Sequence, residues 1–248
     1  MIISPFSSIF FSKRRCWGED SPNIQIFAPT DTPVVEIIRT SGESLPECQL
    51  TEINTGVMEE IVPVSYRMGD GWVDIIRLSQ MAQGCYYLTV GEEESEPFRV
   101  TADEIELSQS VLIRYSPYDN RGRRDVVAIV GEDRVAFDFR VQGGFKDDGI
   151  TFGVDNEQFT TQEADVVELY GRESTIHTLT VGLCDGVPIW FGELLNRLLT
   201  CRYVFIGGQR YARHQQSVPE ITQTLDGVNS FVITQQLSPV KYLQPQSL

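Results

Sequence analysis

The chain has 248 residues and a mass of 28.0 kDa, enough for two modest domains or one large β domain with a buried core. Its hydrophobic fraction of 41% and charged fraction of 22% match soluble globular proteins, which argues against wholesale disorder and against a membrane-embedded fold. The formal charge of −15 is spread evenly: residues 1–102 hold 15 acids and 7 bases (−8) and residues 103–248 hold 20 and 13 (−7), so no basic domain is present to displace counterions from nucleic acid.

The opening, MIISPFSSIFFSKRRCW, places its charges after the apolar stretch, the reverse of a secretory signal, and the stretch is too short and too interrupted to span a bilayer. Neither an export signal nor a transmembrane helix is expected. Residues 1–20 read instead as an N-terminal arm, in which Phe6, Phe10, Phe11 and Trp17 are apolar anchors and Lys13, Arg14 and Arg15 a basic knot. Such a segment on an acidic body suits docking onto an acidic neighbouring subunit, and these seven residues are the candidate partner interface. Packing on the chain's own domain is the alternative. If the arm is a connector, the body should fold without it.

From residue 21 to 102, short runs rich in Val, Ile, Tyr and Phe alternate with Gly, Pro, Asp and Ser at intervals near ten residues: NIQIFA, PVVEIIR, ECQLTEI, VMEEIVPVSYR, GWVDIIRL, GCYYLTV and PFRV. That rhythm predicts an antiparallel β-sandwich of about seven strands. Gly69, Asp70 and Gly71 mark a hairpin turn, because glycine permits the positive φ that tight turns need. The run Glu92, Glu93 and Glu94 reads as a solvated loop.

Residues 103–248 form a second β-rich domain with one helix near 188–200. Strands are expected in SVLIRYSPY, DVVAIV and RVAFDFRVQGG, with a polar, Arg-rich loop at 119–125. QEADVVELYGRESTIHTLTVG suggests two longer strands, with Thr175, His177, Leu179 and Val181 sharing a face. In VPIWFGELLNRLLTCRY, Pro188 suits the first helical turn. Trp190, Leu194, Leu195, Leu198 and Leu199 make an apolar stripe that leaves out Asn196 and Arg197. RYVFIGGQRYARH reads as a hairpin turning on Gly207 and Gly208, and SFVITQQL as a final strand. The fold class is therefore mainly β: an N-terminal sandwich followed by a second β-rich unit with one principal helix.

Chemistry-bearing patterns are sparse. With only His177 and His214, the former in a strand-like alternation and the latter after a hairpin, there is little material for histidine-dependent catalysis, and no G-x-S-x-G elbow is present. No pair of carboxylates stands out from the 35 acids. QGGFKDDGITFGVDNE, residues 142–157, mixes glycine and acid but fits neither a P-loop nor an EF-hand, and reads as a polar loop between strands, with a weak calcium site as the alternative. Cys16, Cys48, Cys85, Cys184 and Cys201 lack metal-ligand spacing and read as reduced, mostly buried thiols. Trp72 and Trp190 fall in strand and helix patterns where core burial is expected rather than sugar stacking. No catalytic residue, cofactor or metal is assigned.

GCYYLTVGEEESEPFRV at 84–100, VLIRYSPYDN at 111–120, FRVQGGF at 139–145 and VGLCDGVPIWFGELLNRLLTCRYVFIGGQRYAR at 181–213 together resemble structural proteins of tailed phages and prophages of gut Bacteroidetes. A sandwich followed by a second β unit also resembles the plan of distal tail and baseplate proteins. The resemblance implies a non-enzymatic virion protein of a tail or tail-tip assembly, made in the bacterial host cytoplasm. Its partners would be other virion proteins and itself, in a homo-oligomeric ring, with neither nucleic acid nor membrane insertion. A capsid-decorating or head-to-tail connector protein is one alternative. A carbohydrate-binding adhesin module facing a host surface glycan is another.

Overall fold

The structure, a computed structural model, describes residues 1–11, 24–116, 135–183, 185–215, 217–224 and 230–240. In chain order the first elements are β1 (Ile2–Ile3), β2 (Gln25–Phe27), β3 (Val34–Thr40), β4 (Cys48–Glu52), β5 (Met58–Glu60), β6 (Val64–Met68), β7 (Gly71–Arg77), β8 (Gly84–Val90), β9 (Glu93–Glu94) and β10 (Phe98–Val100). There follow α1 (Glu104–Ser108), β11 (Ser110–Ser116), β12 (Phe137–Thr160), β13 (Val166–Val181), α2 (Ile189–Leu198), β14 (Tyr203–Ile206), β15 (Gln209–Arg213), β16 (Glu220–Gln223) and β17 (Phe231–Pro239). The chain is mainly β with one principal helix, and no helix among the described residues is long and apolar enough to cross a membrane.

Two sheets make the N-terminal sandwich. One runs β1-β3-β7-β6, all antiparallel; the other runs β2-β10-β8-β4-β5, with β9 added to β8 and with β2 and β10 parallel. Their facing surfaces bury Val35, Ile37 and Ile76 from the first sheet against Leu50, Leu88, Val90 and Phe98 from the second. The alternation of β3 explains this division of labour. Val35 and Ile37 point into the sandwich, whereas Val34 and Glu36 point the opposite way, toward the second half of the molecule. The first sheet is therefore buried on both faces.

The second half is a closed barrel. Antiparallel pairings link β13-β12-β11-β14-β15-β17, and β17 returns to β13 from His177↔Leu237 to Val181↔Ile233, so six strands form a ring without free edges there. Inward residues Ile113, Tyr115, Phe137, Phe139, Val141, Leu179, Val181, Val204 and Ile206 pack with the buried face of α2, which is Phe191, Leu194, Leu195 and Leu198. Gly192 lets the helix approach β17, since a Cβ there would sit 2.6 Å from Ile233 Cδ1. Both Gly207 and Gly208 have positive φ, +56° and +80°, as a two-residue turn of the type I′ class demands.

Where structure and sequence reading differ, the causes are local. VMEEIVPVSYR divides into β5 and β6, which lie in different sheets, and Pro63, lacking an N–H for a ladder, stands at the crossing. The two strands expected in 162–182 are a single strand, β13. Most of the polar stretch 142–157 is not a loop but part of β12. Glu93 and Glu94 form β9 beside β8, a short edge rather than a free loop. The short α1 carried no apolar stripe to announce it; Asp103 caps it by accepting from the N–H groups of Ile105 and Glu106. The run DVVAIV, the Arg-rich loop at 119–125 and residues 241–248 lie outside the described residues.

Sandwich and barrel share a core. Val34, Val73 and Ile75 of the first sheet belong to the same buried cluster as the barrel interior, joined by Phe6. Around it the contacts are ionic: Arg140 grips Asp31 through Nε and Nη2 at 2.7 and 2.9 Å, and Asp138 accepts from the Thr32 N–H at 3.0 Å.

Candidate functional site: the N-terminal arm and a projecting hairpin

The residues expected at a partner interface do not share one environment. Phe6 is 1% exposed and sits in the barrel-side core; the Phe6 carbonyl accepts from the Tyr115 hydroxyl, and the Pro5 carbonyl accepts from Arg197. Phe10 is half-buried, with its ring 4.1 Å from that of Trp190, 5.1 Å from Phe191 and 5.9 Å from Phe139. Phe11 packs on the sandwich core. Lys13, Arg14, Arg15 and Trp17 lie outside the described residues. The first eleven residues thus engage the chain's own body. They run beside β3 as an extension of its sheet: β1 pairs with Ile37 and Ile38, the Ser4 N–H donates to the Glu36 carbonyl at 2.7 Å, and the Ser8 N–H donates to the Val34 carbonyl at 2.8 Å.

A second set of exposed apolar side chains lies on β12 and β13, partly in the stretch 142–157 that the sequence offered as a polar loop or a weak calcium site. Past Ile150 and His177 the pair β12–β13 has left the barrel wall and, among the described residues, continues with no third strand on either side to the turn at 161–165. From Ile150 to Thr160 this is ten residue steps, a reach of roughly 33 Å at the usual rise per strand residue. Register places Phe152 opposite Thr175, Val154 opposite Glu173 and Thr160 opposite Val166, so Phe152, Val154 and Val166 share one face. Phe159, Val167 and Tyr170 share the other, and a register shift between Glu157 and Gln158 takes up the extra residue Leu169. Phe152 is 81% exposed, Val154 65% and Val166 63%. An isolated two-stranded hairpin is marginally stable in water, and contiguous exposed apolar side chains mark contact surfaces.

Charge accompanies the apolar residues. Residues 151–175 hold six acids and one arginine, a net charge of −5. The base of the hairpin is shaped by Gly143, whose φ of +115° and close approach to the Thr180 carbonyl leave no room for a Cβ.

The side chains with catalytic potential are engaged in packing. His177 is half-buried, edge-on to Phe145, with its Nδ1 3.2 Å from the Tyr211 hydroxyl. His214 is half-buried rather than open to solvent, with Nδ1 2.9 Å from Ser238 Oγ. Cys48 and Cys201 are buried and Cys85 half-buried, and burial pushes the Cys48 thiol up to about 11. Trp72 lies under the guanidinium of Arg39, 5.2 Å from its ring centre, and Arg39 also donates to the fully buried Asp74. Among the described residues no three of His, Cys, Asp and Glu gather as metal ligands would.

No known protein family matches the chain, and neither a curated protein nor a solved structure resembles it.

Proposed function

We propose that this chain is a non-catalytic structural protein of a tailed-phage or prophage virion, built into the tail or its tip. It works through protein contacts, first of all with further copies of itself. The observation that carries the reading is the hairpin, whose apolar side chains on both faces are exposed and which pairs with no third strand among the described residues. A second copy is the occupant favoured by charge. The hairpin is strongly acidic, while the same chain carries the basic runs Lys13–Arg15 and Arg121, Arg123 and Arg124, so a hairpin from one subunit and a basic segment from the next attract. Such a head-to-tail contact is heterologous, and it closes into a ring when the rotation between neighbours permits. The virion context rests on the sequence alone, through the resemblance of four segments within residues 84–214 to phage structural proteins.

Two measurements test this. Sedimentation and native mass spectrometry at micromolar concentration should give a closed oligomer that the double substitution Phe152→Ser, Phe159→Ser dissociates. Electron microscopy of particles labelled with an antibody to this chain should place the label at the tail. A protein that stays monomeric and is missing from particles overturns the reading.

A further inference from the structure

Four carboxylates are buried among the described residues: Asp31, Glu36, Asp74 and Asp138. Three are held by an arginine through two nitrogens. Arg140 holds Asp31, Arg39 holds Asp74, and Arg114 holds Asp138, with Nε distances of 2.6–2.7 Å. Glu36 differs. It is 2% exposed, no cation among the described residues pairs with it, Ser4 is its side-chain partner there, and its Oε2 is left without a hydrogen bond.

The surroundings of Glu36 explain the contrast. It lies on the face of β3 turned toward the barrel, beside Ile75 of β7. The N-terminal strap, residues 2–11, runs alongside: Ser4 Oγ meets the carboxyl, and Ser7 Oγ accepts from the Glu36 N–H at 3.1 Å. From the barrel the ionisable groups directed at this space are the buried phenol of Tyr115 on β11 and, beyond it, Cys201 and Arg197 at the end of α2. Tyr115 spends its proton on the Phe6 carbonyl, and Arg197 donates to the Pro5 carbonyl, so neither neutralises a carboxylate at Glu36. The strap is the edge of its sheet and the element that can lift without breaking the sandwich or the barrel ladder.

We propose that Glu36 and the strap form a protonation latch, in which the closed strap accommodates a neutral carboxyl and ionisation favours a lifted strap that lets water reach Glu36. Lifting the strap would also uncover the surfaces that Phe6 and Phe10 now cover. The latch does not depend on the proposed virion role.

The sign follows from linkage. Burial raises the Glu36 carboxyl from 4.5 to about 7 while the strap is closed. With the strap lifted, the group returns toward its ordinary value. The closed form therefore binds the proton more tightly, and closure is favoured at low pH. As pH rises from about 4.5 to about 7, the opening equilibrium increases by up to tenfold per unit, and it levels off above that window. Hydrogen exchange at the Ser4 and Ser8 amides, divided by the intrinsic chemical rate at each pH, reads this equilibrium. The wild-type chain should show the rise between pH 5 and pH 7, and Glu36→Gln, neutral at every pH, should be flat. Equal slopes in the two proteins, or no slope in the wild type, overturn the latch. Should Glu36→Gln fail to fold, carboxyl-carbon NMR of the wild-type chain decides: titration of Glu36 near 7 supports the latch, and titration near 4.5 overturns it.

Discussion

Two apolar segments of this chain meet opposite fates. The N-terminal arm advertises itself in sequence through clustered aromatics, yet Phe6 is buried and Phe10 packs on Trp190 and Phe191. The β12–β13 hairpin looks in sequence like a polar, glycine-containing stretch, yet it carries Phe152, Val154 and Val166 into solvent. Apolar content therefore does not say which surface a protein keeps for others. What decides is whether the fold brings a complementary face within reach. The arm starts beside β3 and lies in the seam between sandwich and barrel, whereas the hairpin leaves the barrel wall where β11 and β17 stop pairing with it.

The comparison is open to breakage from both sides, and the largest effect belongs to the arm. Removing residues 1–11 takes away Phe6 and Ile9, one from each buried cluster, together with the backbone bonds to β3, and should lower the melting temperature by more than any single substitution while the sandwich and barrel ladders still form. A truncated protein that melts at the same temperature as the full chain would show that the arm adds nothing to the fold. Phe6→Ala alone should cost about 3–5 kcal/mol in denaturant unfolding, the usual range for emptying a buried aromatic site. Leu194→Ala, on the buried face of α2 in the same cluster, sets the scale for an ordinary core position and should cost about 2–5 kcal/mol. A Phe6 loss well below that of Leu194 would mean that the arm rests on the core rather than belonging to it. The smallest effect on stability is expected in the hairpin: Phe152→Ser with Val154→Ser should change monomer unfolding by no more than about 0.5 kcal/mol, as for exposed sites, while weakening self-association measured by sedimentation. A large loss of stability there would place the hairpin against the chain's own body.

Read from sequence, the strands of greatest periodicity and the helix were legible because their signals are local. The stripe Leu194, Leu195 and Leu198 and the paired Gly207 and Gly208 fix α2 and the β14–β15 turn from their own neighbourhoods. Of the hairpin only β13 was legible as strand. The alternation of β12 is interrupted by glycines and by the register shift at Glu157/Gln158, so 142–157 resembles a loop until β13 is found beside it. Glu36 was equally silent, since one acid in VVEIIR reads as a single polar position in a strand and only the packing of a second layer buries it.

Composition, charge and periodicity were enough to determine a mainly β chain with one principal helix and no basic domain, because hydrophobic alternation and turn chemistry act over a few residues. Tertiary structure alone decided three things: the closure of six strands through β13–β17, the burial of the arm between two layers, and the departure of the hairpin from the barrel wall. Each depends on which segments distant in sequence come to lie side by side. A residue's exposure is a property of that arrangement, not of its own side chain.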